Sequence, residues 1–296
     1  MASVQLKGYH VLDKIKDGTV GTVWRALNSA GSPKAIKQLS LKHASDSGLV
    51  RKFKKEATLT RSLSHPNIIK VYEYVPLEPQ PFFVMEYFES QNLKYAMAHH
   101  PKWIHKREFQ ILMAIADALA YVHEHDILHK DVKPENVLVS ASGDVRLIDF
   151  SLASTKWDRM LQFRKKVEGT PMYMAPEQIR GEKCDARTDM YSFGVLMYEL
   201  LTKRPPFAVQ DAAKFLDKHL REKPQTLRAH VPTISPELDA FVLRLLNKAP
   251  DARYSDMRTV MQELSRWIKQ ETVIRLRQVK HAAFEYPQQA TSSAPA

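Results

Sequence analysis

Apolar residues follow two different rhythms along this chain, and the change of rhythm divides it. Up to about residue 88 they come in short runs, Tyr9 to Ile15, Thr22 to Leu27 and Ala35 to Leu39, separated by Gly18, Gly21, Gly31 and Pro33. That spacing predicts strands joined by tight turns. Leu49, Phe53, Ala57 and Thr60 then recur every three or four residues, with Arg51, Lys52, Lys54 and Lys55 on the polar face, which predicts one helix from about Gly48 to Leu63. The runs Ile68 to Tyr74 and Phe82 to Tyr87 complete an expected five-stranded sheet. After Phe88 the helical period takes over. Ile111, Leu112, Ile115, Leu119 and Val122 mark the buried stripe of a helix from Glu108 to His123. Further helices are expected at about Arg187 to Leu201, Asp211 to Leu220, Pro236 to Leu246 and Asp256 to Lys280, before a small, polar tail, PQQATSSAPA, with the composition of disorder.

The chain thus reads as α+β, with a β-rich small lobe over 1–88, a helical large lobe over 89–270, and a basic helical extension and tail over 271–296. The crevice between the lobes is the expected ligand site. With 296 residues, 44% of them hydrophobic and 26% charged, there is enough chain for a sizeable core, and wholesale disorder is excluded. The single cysteine, Cys184, excludes an intramolecular disulfide or a zinc site of several thiolates and points to a reducing compartment. MASVQLKGYH has no apolar leader, and Glu199 breaks the apolar stretch Phe193 to Leu201, so a cytoplasmic protein without a membrane span is expected. The 44 Lys and Arg outweigh the 33 Asp and Glu, for a formal net charge of +11 that favours anionic partners. The basic residues are scattered, without zinc-finger spacing or an RNA-binding aromatic motif, so a solvated basic surface is preferred over a nucleic-acid face.

Candidate chemistry begins at the first turn. In Ile15-Lys-Asp-Gly-Thr-Val-Gly-Thr-Val23, Gly18 and Gly21 let backbone approach phosphate oxygens and offer N–H donors, although a plain hairpin also wants glycine. Lys37, ending Lys34-Ala-Ile-Lys37, can point into the crevice, although most strand lysines are simply solvated. Glu56, on the predicted helix, is its candidate partner, because a cation beside a nucleotide needs an anion to fix its position. The densest signal is His129-Lys-Asp-Val-Lys-Pro-Glu-Asn136, followed by a short strand, a turn at Ser142-Gly143 and Leu147-Ile-Asp-Phe150. It presents Asp131, Asn136 and Asp149 from loops at strand ends, hard oxygen groups that suit Mg2+ completed by substrate phosphates. Asp131 is left to accept a hydroxyl proton, with Lys133 to neutralise a transferring phosphoryl group. His123, His125 and His129 do not meet the HExxH zinc spacing.

These motifs, with Gly169-Thr170, Ala175-Pro-Glu177, Asp189-Met-Tyr-Ser-Phe-Gly194 and Asp251-Ala-Arg253, resemble in order and spacing a protein kinase of the eukaryotic-like Ser/Thr type found in bacteria, from about Tyr9 to Trp267. The resemblance implies a two-lobed kinase fold, ATP and Mg2+ as cofactors, and protein substrates with Ser/Thr acceptors. It makes Gly18 and Gly21 the roof over the ATP phosphates and Lys37, held by Glu56, the contact to the inner phosphates. Ile15, Val23, Ala35 and Leu138 join the nucleotide site, with Met85 as gatekeeper before a hinge at Glu86 to Phe88. Asn136 and Asp149 become metal ligands, Asp131 the base and Lys133 the phosphate partner, with Thr170 contacting both. Glu177 and Arg253 become a buried structural pair. The alternative is a kinase-fold scaffold that binds partners without chemistry, but such scaffolds typically lack the lysine, the base or the metal aspartate.

Three positions depart from the family pattern. Lys16 stands at the first loop glycine, with its side chain free to reach solvent. Ser151 replaces the glycine after Asp-Phe, where a forced positive φ is expected to cost about 1–2 kcal/mol. Lys130 replaces the arginine before the base, and between Lys156 and Gly169 the loop offers no hydroxyl. The expectation is catalysis without loop phosphorylation, with Glu168 or Asp158 lending Lys130 a permanent negative charge. The basic run from Arg266 to Lys280 is expected to dock on the large lobe or meet an acidic partner.

Overall fold

The short apolar runs of the first lobe pair into one antiparallel sheet. It comprises β1 (Gln5–Leu6), β2 (Tyr9–Asp17), β3 (Gly21–Leu27), β4 (Pro33–Leu39), β5 (Val71–Val75) and β6 (Phe82–Glu86), in the order β1-β2-β3-β4-β6-β5. It is seen in a computed structural model that describes residues 5–156, 158, 168–207 and 211–267. The sheet has six strands where the sequence predicts five, because Gln5–Leu6 adds a two-residue edge against Tyr9 and His10, too short to show any period. β5 also starts later than expected. Ile68 instead bridges Leu147 of the large lobe, and the Ile69 N–H donates to the Leu147 carbonyl at 3.1 Å, so these residues stitch the lobes together.

Strand register sorts the sheet into two faces, since side chains alternate. Ala26, Ile36, Val75, Phe82 and Val84 pack on one side. On the other, Leu39, Val71 and Phe83 meet Phe53 and Ala57 of the helix α1 (Ser47–Ser62), with the Phe53 and Phe83 rings 5.1 Å apart. Asp46 caps α1, its Oδ1 accepting the Gly48 and Leu49 N–H groups. The same face carries Lys37, which lies opposite Val23 on one neighbour and Phe83 on the other, and Ala35, opposite Met85. Gly21 sits where a β-carbon would strike the Gln38 carbonyl, so only glycine lets β3 approach β4 there.

Two short helices that the sequence did not predict, α2 (Leu93–His99) and α3 (Pro101–His105), open the large lobe and lead into α4 (Glu108–Glu124). At its centre runs the Ala186–Thr202 helix, whose Tyr191, Phe193 and Tyr198 are fully buried. A β-carbon on Gly194 would come within 2.7 Å of the Leu245 Cβ, so the Pro236–Leu245 helix packs tightly onto it. The helix expected from Asp256 is present over 257–267; its continuation to Lys280 and the tail lie outside the described residues. No helix among the described residues is long and apolar enough to cross a membrane.

Candidate active site

Two clusters of charged side chains meet between the lobes. In the first, Lys37 Nζ lies 2.6 Å from Glu56 Oε1 and 3.8 Å from Asp149 Oδ1. Glu56 is the one charged residue that α1 buries, at 6% exposure, so the apolar face carries this carboxylate inward to the lysine. Burial opposes the Lys37 charge, but the two carboxylates outweigh it and raise its pKa. Burial also works against the Asp149 charge, yet Lys37, and after it the Ser151 side chain, hold its pKa down to about 2. Asp149 is therefore ionised at neutral pH.

In the second cluster, Asp131 Oδ2 accepts from Lys133 Nζ at 2.6 Å and Asn136 Nδ2 at 3.0 Å, while Oδ1 accepts from Thr170 Oγ1 at 2.9 Å. Lys133 Nζ also donates to Thr170 Oγ1 at 2.6 Å. Asn136 Nδ2 further donates to the Asp131 carbonyl, so the amide nitrogen is committed to the loop and its oxygen is turned away from it. The Ile148 N–H donates to the Asn136 carbonyl at 2.9 Å, fixing the Asp149 loop to the Asp131 loop.

What positions this loop is a residue about sixty positions further along the chain. Asp189, fully buried, accepts the backbone N–H groups of His129 at 2.9 Å and Lys130 at 2.7 Å, together with His123 Nε2 at 2.8 Å. Burial works against its charge, but these donors hold its pKa below the usual value. Gln178 Nε2 donates to the Lys130 carbonyl from the other side. The histidines go separate ways: His123 to Asp189, His125 to the Tyr121 carbonyl and His129 to the Ile148 carbonyl. Arg253 and Glu177 form the expected buried pair, bidentate at 2.7 and 2.9 Å.

Of the other expected nucleotide-site residues, Gly18 and Gly21 close the β2–β3 turn through a 2.8 Å N–H to carbonyl bond. Val23, Ala35 and Met85 share the inward sheet face with Lys37, and Leu138 lies on the Val137–Val139 strand paired with Val145–Leu147. Ile15 is 49% exposed on β2. Glu86 and Phe88 are gripped from behind: Arg146 gives Nε and Nη2 to the Glu86 carboxylate at 3.0–3.2 Å, and its guanidinium stacks 4.5 Å from the Phe88 ring. Nothing in the local sequence around Arg146 signalled this latch.

Two expectations are corrected. Ser151 does not have a positive φ; the left-handed residues here are Lys130 at 66° and Asp149 at 64°, so no strain falls on Ser151. Glu168 and Asp158 do not serve Lys130. Glu168 Oε1 pairs with Lys52 Nζ at 2.7 Å and Asp158 Oδ2 with Lys55 Nζ at 2.8 Å, so both acids face α1. The basic run Arg164 to Val167 lies outside the described residues, whereas Lys16 is exposed as expected.

Comparison with known proteins agrees with this geometry. The family model described as protein kinase domain matches residues 9–268. A probable serine/threonine-protein kinase of Streptomyces coelicolor is 38% identical over 230 residues, covering 76% of this chain and 34% of that protein. Serine/threonine-protein kinase PknB of Mycolicibacterium smegmatis is 35% identical over 238 residues, 78% of this chain and 38% of that protein. PrkC of Bacillus subtilis is 32% identical over 249 residues, 83% of this chain and 38% of that protein. The chain thus spans little more than a third of the length of these relatives. With its lysine, glutamate and two aspartates gathered at one crevice and the family model matched over residues 9–268, the chain belongs to the protein kinase family, and the relatives it resembles are bacterial Ser/Thr kinases.

Proposed function

We propose that this domain transfers the γ-phosphoryl group of ATP to Ser or Thr hydroxyls of proteins. The observation that carries the reading is the Asp131 carboxylate, held by Lys133, Asn136 and Thr170 beside an ionised Asp149. Lys37, held in place by Glu56, contacts the inner phosphates, and Gly18 and Gly21 cover them. Asn136 and Asp149 fit a Mg2+ ion: one offers an amide oxygen turned away from its own loop, the other a carboxylate that stays charged, and Mg2+ needs few protein ligands beside phosphate and water. When bound, the ion neutralises phosphate charge. Asp131 takes the acceptor's hydroxyl proton as its oxygen attacks the γ-phosphorus, and the bond to the β–γ bridging oxygen breaks to release ADP. Lys133 sits where it can balance charge on the moving group, and Thr170 fixes the rotamer of Asp131.

The scaffold reading is disfavoured because Lys37, Asp131 and Asp149 are all in place. Catalysis proceeds without loop phosphorylation, since the segment's own acids already meet α1. A cytoplasmic location rests on the sequence and on the single, buried Cys184; an acidic partner for the run Arg266 to Lys280 rests on sequence alone. The test is transfer from labelled ATP with Mg2+ to a generic Ser/Thr acceptor. Asp131→Asn should abolish turnover while leaving the thermal melt within about a degree or two, since a near-isosteric polar exchange creates no cavity. Wild-type turnover by that variant would overturn the assignment.

A further inference from the structure

The stretch from Leu93 to Arg107 contains Lys94, Lys102, Lys106, Arg107, His99, His100 and His105 and no Asp or Glu. It forms α2 and α3, and most of these basic side chains are exposed. Between these helices and the end of the Ala186–Thr202 helix lies a cavity of about 190 Å³. Its floor is apolar, from Met97, Pro101, Ile104 and Leu200, and Lys94, His105 and Lys203 stand around it. The volume is below the roughly 300–1,000 Å³ of a site for a drug-sized molecule. It suits one apolar side chain.

The two acids in the wall are already satisfied. Glu199 accepts Lys94 Nζ at 2.6 Å and the Tyr173 hydroxyl, and Glu108 accepts His105 Nδ1 at 3.1 Å. Both are buried, at 6% and 4% exposure, and each is met by one of the basic groups named, so the charge turned to a partner is that of the exposed Lys102, Lys106 and Lys203. The cavity is also coupled to the chemistry by a continuous path. The Tyr173 N–H donates to the Thr170 carbonyl at 2.9 Å, and Thr170 Oγ1 bonds Asp131. The shelf therefore stands at a fixed offset from the base.

We propose that this shelf docks protein substrates through an acidic segment carrying one apolar side chain, which enters the cavity while its carboxylates meet Lys102, Lys203 and their neighbours. The proposal rests on the kinase reading above and names the substrate class it serves. The occupant's sign argues against the chain's own C-terminal residues 268–296, where Lys269, Arg275, Arg277 and Lys280 outnumber Glu271 and Glu285. Like charges would oppose that docking.

The test has two arms. In the first, anisotropy of a fluorescent peptide of glutamates around one leucine reports binding to the whole chain without turnover. Exchanging the leucine for alanine should weaken binding about ten-fold, the scale of burying one such side chain. Glutamate-to-lysine exchange should abolish binding, and rising salt should weaken that of the original peptide. Ala98→Trp, at an exposed position lining the cavity, should mimic the alanine peptide, and Lys102→Glu with Lys203→Glu should weaken binding several-fold. In the second arm, the peptide fused to a Ser acceptor should show a lower KM than the acceptor alone, and these variants should erase that gain while phosphorylating the short acceptor at the wild-type rate. Equal binding of the leucine, alanine and lysine peptides would overturn the proposal, as would displacement of the peptide by single-stranded RNA at lower concentration. Failure to phosphorylate even the short acceptor would overturn the kinase reading instead, with anisotropy still deciding the docking surface.

Discussion

Replacing Lys52 and Lys55 by alanine should lower kcat/KM without touching a residue of the phosphoryl-transfer site. Lys55 precedes Glu56 directly and Lys52 lies one turn earlier, so the contacts to Asp158 and Glu168 hold the part of α1 that delivers Glu56 to Lys37. These pairs are partly exposed, with side-chain exposures of 53% and 34% for one and 43% and 29% for the other. Such pairs contribute about 0.2–1 kcal/mol each. Losing both costs about 0.4–2 kcal/mol, which is about 2- to 30-fold in the ratio of docked to undocked α1 at 1.36 kcal/mol per decade.

The assay is steady-state phosphorylation by phosphatase-treated protein at several salt concentrations. Wild-type rates should fall as salt rises, because the Debye length shrinks from about 10 Å at 0.1 M to about 3 Å at 1 M. The double-alanine variant should start lower and respond less. Lys52→Glu should be worse than Lys52→Ala, and combining it with Glu168→Lys should recover most of the loss. Two results would refute the reasoning: wild-type kcat/KM in the double-alanine variant, or loss of all activity on dephosphorylation with recovery by autophosphorylation. The second would mean that carboxylates cannot do here what a phosphate does in related kinases, a phosphate carrying more charge and a third oxygen.

Arg146→Met should raise the KM for ATP several-fold with little change in kcat, because it frees Glu86 and Phe88 at the hinge while leaving Asp131 and Asp149 in place; Arg146→Lys, which lacks the planar fork, should rescue only partly. His219 is buried beside the Tyr191 hydroxyl, and burial, with Lys248 nearby, lowers its pKa to about 4 from 6.5. Between those two pH values the unfolded chain binds a proton that the folded chain refuses, so stability is full above about 6.5 and falls toward pH 4 by up to about 1.4 kcal/mol per unit. Thermal melts at pH 7 and pH 5 should therefore differ more for wild type than for His219→Asn; equal differences would show that His219 does not set this limb.

Residues whose chemistry fixes their spacing are legible in the amino-acid order alone. Asp131, Lys133 and Asn136 lie within one loop, so the proposed proton acceptor and its partners show as a string. Lys37 and Glu56 are readable because a strand period and a helix period each place one of them inward. What the supports bind is not readable. Asp189 lies about sixty residues from the amides it binds, as does Glu86 from Arg146, and Tyr173 meets Glu199 across the fold of a helix and a loop. Asp189 and Glu86 stand in segments that carry the family resemblance, but no local pattern names their partners. The helices Leu93–His99 and Pro101–His105 escape for another reason: one or two turns are too few for a 3.6-residue period to emerge, and their starts depend on an Asn92 cap and a proline.

The same distinction explains where the backbone strain lies. A non-glycine residue in the left-handed region costs about 1–2 kcal/mol, and the loops of the site hold two, Lys130 and Asp149. Strain of this kind persists only where the surroundings over-determine the conformation. At Lys130 they do: Asp189 takes its N–H and Gln178 binds its carbonyl, so both ends of the peptide are fixed by buried groups. At Asp149 the Ser151 N–H returns to the carboxylate at 3.3 Å, and Lys37 draws the side chain toward the crevice. Serine can stand at 151 because the unusual turn is made two residues earlier, by the aspartate itself. A substitution that looks costly at the motif's third position is thereby tolerated, while loss of Asp189, outside that motif, would release the strain at Lys130 and with it the position of Asp131.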